Sequence, residues 1–141
     1  MKIFLSFRFT GEDPNVLSQV NKKIVEAFAK SGHQVSNSFD MQEHFSANKF
    51  TNKQIMQHTF SDLDKADALF AYINSDARSE GMLMEIGYAL AKGKKVIIAT
   101  KIGVKSYAPE LADTAIGFSD LDELYKKLVQ LNLGQISNAA I

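Results

Sequence analysis

Two unbroken apolar runs, "ALFAYI" at 68–73 and "KVIIA" at 95–99, constrain this chain most. Each has the length of a strand. Neither shows the alternation of a strand with one wet face, so each must be covered on both sides. Strands of that kind lie side by side in parallel sheets, and parallel neighbours need a crossover of a dozen residues or more. Residues 74–94 between the two runs are long enough for a loop and a helix. The pair therefore predicts one strand–helix–strand unit at the centre of a larger sheet.

The flanking sequence extends this alternation. Lys2 to Phe7 is short and β-prone, and predicts a first strand. After the loop "TGEDPN", Asp13 stands before Pro14, an N-cap residue followed by the residue best tolerated at the first helical position. Val16, Val20, Ile24, Ala27 and Phe28 recur at helical spacing, and Gly32 suits the helix end. His33 to Ser36 predicts a short second strand. Ser38 to Lys53 is polar and irregular, and predicts a long functional loop with some helical turn. A helix follows over about Asn52 to Lys65, then a weak fifth strand at Thr114 to Phe118 and a closing helix at Leu121 to Leu131. The expectation is an α/β domain over 1–134, a five-stranded parallel sheet with helices on both faces, and a flexible tail at 135–141. Ligands of such sheets bind at the carboxyl ends of the strands, which points to loops 6–14, 37–52, 74–81 and 100–110.

Composition excludes several functions. Lysine plus arginine equals aspartate plus glutamate at 16 each, so nothing draws the chain to a nucleic-acid polymer or an acidic membrane. There is no cysteine, hence no disulfide, thiol nucleophile or thiolate metal site. His33, His44 and His58 lack metal-ligand spacing, and no metal is expected. No Gly-x-Gly-x-x-Gly turn or P-loop is present. Ser6 has no histidine base beside it in the sequence. The apolar start "MKIFLSFRF" is too short for a signal peptide, and the expected location is the cytoplasm.

The helix after loop 74–79 carries the chemistry. Met82, Leu83, Ile86, Ala89 and Leu90 share one face, and Glu85 stands at its border. One reading makes Glu85 a solvated edge residue loosely paired with Lys92. The other uses the preceding loop. Ser79 can cap the helix, and Gly81 leaves first-turn amides open to an anion. A phosphate there would set a sugar carbon near Glu85, a pairing suited to cleavage of a sugar–base bond. Gly87 and Ala91 are small enough for close approach by a neighbour, which would offset the helical cost of glycine. Phe39, Phe45 and Phe50 either stack on a base or pack loop 38–53 onto the body. Lys92, Lys94 and Lys95 fit a solvated helix end.

Ser79-x-Gly81-x-x-x-Glu85-x-Gly87 followed by "ALAKGKKVIIA", the strand "ADALFAYI" at 66–73 with Leu63 before it, and "IFLSFR" at 3–8 resemble the nucleoside 2-deoxyribosyltransferase family. Within it they are most similar to the 2'-deoxynucleoside 5'-monophosphate N-glycosidases. The resemblance spans residues 3–99. It implies a flavodoxin-like doubly wound sheet, a small nucleotide or nucleoside as ligand, no cofactor, and a homodimer or higher homo-oligomer. It makes Glu85 the catalytic nucleophile, or the group that stabilises an oxocarbenium-like sugar. It places Ser79 and Gly81 on the 5'-phosphate and Ser6 and Arg8 on sugar or phosphate. The transferase branch has an acid where Ser79 stands, so serine favours nucleotides. Thr59 occupies the place of a family aspartate that serves the base, and Asp62, three residues on, is the candidate substitute. Lys2 stands where the family has a tyrosine. Ser106 is the candidate for a loop serine that a partner subunit contributes.

The opening "FLSFRFTGED" also resembles TIR domains, whose catalytic members cleave the nicotinamide N-glycosidic bond of NAD. Three activities are thus in play: nucleotide N-glycosidase or deoxyribosyltransferase, NAD glycohydrolase, and a nucleotide-binding sensor without turnover.

Overall fold

The computed structural model describes residues 1–37 and 39–131. Five parallel strands, β1 (Lys2–Ser6), β2 (Gln34–Asn37), β3 (Ala68–Ile73), β4 (Lys95–Lys101) and β5 (Thr114–Phe118), form one sheet in the order β2-β1-β3-β4-β5. This is the doubly wound order of flavodoxin-like proteins. The chain reverses its direction of travel across the sheet between β1 and β3, and the two loops leaving those strands part there. The expected domain end at 134 and the tail at 135–141 lie outside the described residues.

Helices α1 (Pro14–Lys30), α2 (Gln42–Ala47), α3 (Asn52–Lys65), α4 (Glu80–Ala91) and α5 (Leu121–Gln130) connect and close the sheet. Their starts follow local chemistry. The Asp13 side chain accepts from the Asn15 amide, and Thr51 and Gln54 form a reciprocal capping box. Ser79 and Asp120 accept from the amides of Met82 and Glu123. Gly32 has φ +82°, the left-handed backbone that ends α1.

Alternate residues of each strand feed opposite cores. Ile3, Leu5, Phe70, Tyr72, Ile97 and Phe118 meet α1 and α5 on one face. Phe4, Leu69, Ala71, Val96 and Ile98 meet α3 and α4 on the other. Both faces being covered explains the unbroken apolar runs of β3 and β4. Phe70 is fully buried, with the Phe28 ring edge-on at 5.3 Å.

Several local expectations are corrected. β2 is Gln34–Asn37, one residue later than expected, and β4 runs on to Lys101. Val16 is 54% exposed, and Leu17 begins the stripe that Val20, Ile24, Ala27 and Phe28 continue, because Leu17 lies three residues before Val20 and seven before Ile24 and so shares their face more closely than Val16 does. Leu90 is exposed as well, a full residue step of 100° beyond Ala89 and off the core face of α4. Gly87 is exposed with nothing within 4 Å of an added Cβ, so among the described residues no neighbour makes the close approach expected of it.

Candidate active site

The carboxyl ends of β1 and β3 are where α3 and α4 come closest to the chain reversal. β1 ends at Ser6, which is fully buried. Its hydroxyl donates to Glu85 Oε1 at 2.6 Å, across 79 residues of sequence. Glu85 itself is 6% exposed. Burial pushes its carboxyl up from the ordinary 4.5 to about 7, and the Ser6 hydrogen bond works against that rise. The edge reading is therefore overturned. Lys92 lies 3.9 Å from Asp64 and over the Tyr88 ring, about two turns from Glu85 at the C-terminal end of α4.

A cavity of about 600 Å³ opens at this rim. Phe7, Arg8 and Phe9 border it from the segment after β1. Asn52, Ile55, Met56 and Thr59 border it as one stripe of α3. Ser79, Gly81, Met82 and Glu85 border it from α4. One end is apolar and aromatic, and the other is the capped start of a helix. A Cβ added at Gly81 would meet nothing nearer than Ser79 Oγ at 4.0 Å, so the first turn of α4 stands open to the cavity. Beside it, Arg8 Nη1 donates to Glu12 Oε1 at 2.8 Å. Gly11, at φ +79°, lies so close that a Cβ there would come within 2.9 Å of Arg8 Nη2. The turn at Gly11 and Glu12 thus holds the guanidinium in place at the cavity wall.

A second cavity of about 280 Å³ lies on the other side of this wall. Arg8, Arg78, Ser79 and Met82 border both cavities.

The site residues expected from the sequence divide as follows. Glu85, Arg8, Ser79 and Gly81 border the larger cavity. Ser6 stands behind Glu85 as its hydrogen-bond partner rather than in the cavity wall. Asp62 is not brought to the cavity. Its carboxylate lies 3.4 Å from His58 Nδ1, and the α3 stripe that faces the cavity ends at Thr59. Three residues add about 4.5 Å along the helix, away from the rim. Ser106 borders the smaller cavity, where its Oγ accepts from the Ala108 amide. Phe45 is buried against Phe50 and His58, and Phe39 stacks on Phe9. Packing is the role of these rings, and Phe7 and Phe9 are the aromatic residues at the cavity. Sequence reasoning missed those two, along with Arg78 and Glu80. Arg78 and Glu80 flank Ser79 on either side, and adjacency to the helix cap was the available signal. Among the described residues no group of three His, Asp or Glu side chains is placed to hold a metal, and no helix is long and apolar enough to cross a membrane.

The family model described as nucleoside 2-deoxyribosyltransferase matches residues 8–131. Among solved structures, the CMP N-glycosidase BcmB of Clostridium botulinum is similar at TM-score 0.67 and 19% identity, covering 91% of this chain and 98% of that one. A 2-deoxyribosyltransferase from Bacillus psychrosaccharolyticus is similar at TM-score 0.71 and 19% identity, covering 96% of both chains. A flavodoxin-like domain from Synechococcus is similar at TM-score 0.52 and 10% identity, covering 97% of this chain and 99% of that one. At such identities the structural likenesses establish the fold. No curated protein matches in sequence.

Proposed function

Because this chain belongs to the nucleoside 2-deoxyribosyltransferase family, enzymes that act on the bond between sugar and base, we propose that it hydrolyses the N-glycosidic bond of nucleoside or deoxynucleoside 5'-monophosphates with Glu85 as nucleophile. The observation that carries this reading is Glu85, held from behind by buried Ser6, bordering the cavity beside the open helix start at Ser79 and Gly81.

The 5'-phosphate sits on that helix start, where free amides and the dipole favour an anion. Arg8 and Arg78 add positive charge from the shared wall. The base points to the apolar end, between Phe9 and the Ile55–Met56 turn of α3. The anomeric carbon then faces Glu85. As the C1'–N bond breaks, its electron pair leaves with the base, which takes a proton from water. Glu85 adds to C1' or stabilises the oxocarbenium-like sugar, and water completes the hydrolysis. Asp62 has no part in this scheme, since it lies off the cavity. A second base in place of water gives transfer.

The Ser6 hydroxyl keeps one Glu85 oxygen oriented, so the other is free to approach the sugar. With its carboxyl at about 7, Glu85 is about half ionised at neutral pH. The reacting form is the carboxylate, so kcat/KM should climb with pH through that value.

The outer face of α4 exposes Leu90 and Gly87, and Met84 is exposed at the rim of the larger cavity, an apolar surface that supports the expected homo-oligomer. Light scattering on the purified protein tests that point, and a monomer at high concentration would end it. The cytoplasm, where nucleoside monophosphates occur, is the proposed location.

The deciding experiment follows free base by chromatography after incubation with nucleoside monophosphates, nucleosides and NAD. Base from monophosphates, lost in Glu85→Gln, is the expected result. Nicotinamide as sole product, exchange between nucleosides alone, or no release at all would each overturn the monophosphate hydrolase.

A further inference from the structure

The reading above leaves the smaller cavity without a task. It has a volume of about 280 Å³ and shares Arg8, Arg78, Ser79 and Met82 with the cavity that holds Glu85. Its other walls combine two kinds of surface. Lys105 and Ser106 supply polar groups, and Tyr72, Leu83 and Tyr107 supply apolar or aromatic area. Arg78 stands over the Tyr107 ring at 6.0 Å, and that ring is 54% exposed. Asp76 also borders the space, with its Oδ1 accepting from the Lys105 amide at 2.7 Å. Counting formal charges, the cations Arg8, Arg78 and Lys105 outnumber Asp76 at the cavity wall.

We infer that the smaller cavity binds the group attached beyond the 5'-phosphate, so that the site accepts pyrophosphate-linked dinucleotides as well as monophosphates. The inference rests on the proposed placement of a nucleotide's phosphate at the shared wall. A phosphate there has Glu85 and the sugar on one side and the second cavity on the other. A second phosphate continuing outward meets Lys105 and Arg78. A second ring beyond it has Tyr107 as a stacking face and Tyr72 and Leu83 beneath. A monophosphate fills one compartment and leaves this cationic, part-aromatic space vacant.

The test is calorimetric titration of the Glu85→Gln protein, which keeps ligands intact. The monophosphates of the common nucleosides are titrated first. The symmetric pyrophosphate-linked dinucleotide of the best-bound base is titrated next. The expected result is at least about tenfold tighter binding of the dinucleotide. Ala77→Trp, at an exposed position in the wall of the smaller cavity alone, should remove that advantage and leave the monophosphate unaffected. Lys105→Ala should reduce both the advantage and its salt dependence. Equal affinities for the two ligands, or an advantage that survives Ala77→Trp, would overturn the second subsite. If base release from monophosphates still depends on Glu85 in that case, the proposed hydrolase stands without it. Absence of binding by every probe would overturn both.

Discussion

Two acidic residues, Glu85 on α4 and Asp62 on α3, sit on neighbouring helices against the same face of the sheet, and their surroundings diverge. Glu85 is buried at the strand ends, held by a serine from β1, with its carboxyl raised to about 7. Asp62 is partly exposed, and its carboxylate lies 3.4 Å from the His58 ring, four residues away on its own helix. Both helices begin at the rim with a hydroxyl cap, Thr51 for α3 and Ser79 for α4. Glu85 lies six residues past its cap and Asp62 eleven past its own. Depth below the rim, more than residue type, separates an acid that can meet a substrate from one that cannot.

The largest expected effect is at Glu85. Glu85→Gln keeps the shape and removes the charge, and should lower base release on the order of a hundredfold or more in steady-state assays. The same variant should gain stability at high pH. The folded carboxyl titrates at about 7 against an ordinary 4.5, so the folded state holds its proton where the unfolded state has lost it. Stability from this group is full below about 4.5, falls as pH rises, and is gone above about 7. Glu85→Gln should therefore match the parent near pH 4 and exceed it at pH 8 by on the order of 3 kcal/mol, read from denaturant unfolding. A variant that is inactive and also unstable at pH 8 would break the contrast.

Ser6→Ala comes next. It removes the one group that lowers the Glu85 carboxyl, so the acid limb of kcat/KM should move to higher pH. Turnover at pH 7 should fall by about tenfold, with recovery at alkaline pH. An unshifted pH profile would mean that Ser6 does not orient Glu85. Gly11→Ala should act more weakly. The left-handed backbone costs about 1 kcal/mol for alanine, and the added carbon pushes on Arg8. KM for a monophosphate should rise a few-fold with kcat little changed. Asp62→Asn is the smallest. Activity should stay within about twofold and stability within about 0.5 kcal/mol, as for a half-exposed pair within one helix. A large loss of turnover here would restore Asp62 as a catalytic acid.

The contrast between these residues also marks how far the sequence could be read. The Ser79 cap, the open Gly81 and the apolar strand β3 are local patterns, and each stands where the sequence places it. The Lys92 partner of Glu85 was inferred from spacing along one helix, and it failed because Lys92 turns to Asp64 on α3. The contact that decides Glu85 comes from Ser6, and no spacing rule reaches across 79 residues. Phe7 and Phe9 were read as strand end and loop, yet the turn after β1 brings both to the cavity.

By itself the sequence determined the alternation of strands and helices, the two-sided burial of β3 and β4, and the capped starts of α1 and α4. These follow from hydrogen bonding and hydrophobic period over a few residues. Tertiary structure alone decided that Glu85 is buried, that Ser6 faces it, and that two cavities meet at shared arginine and serine residues. Those outcomes depend on the phase and depth at which helices seat on the sheet, quantities that only the packing of distant segments sets.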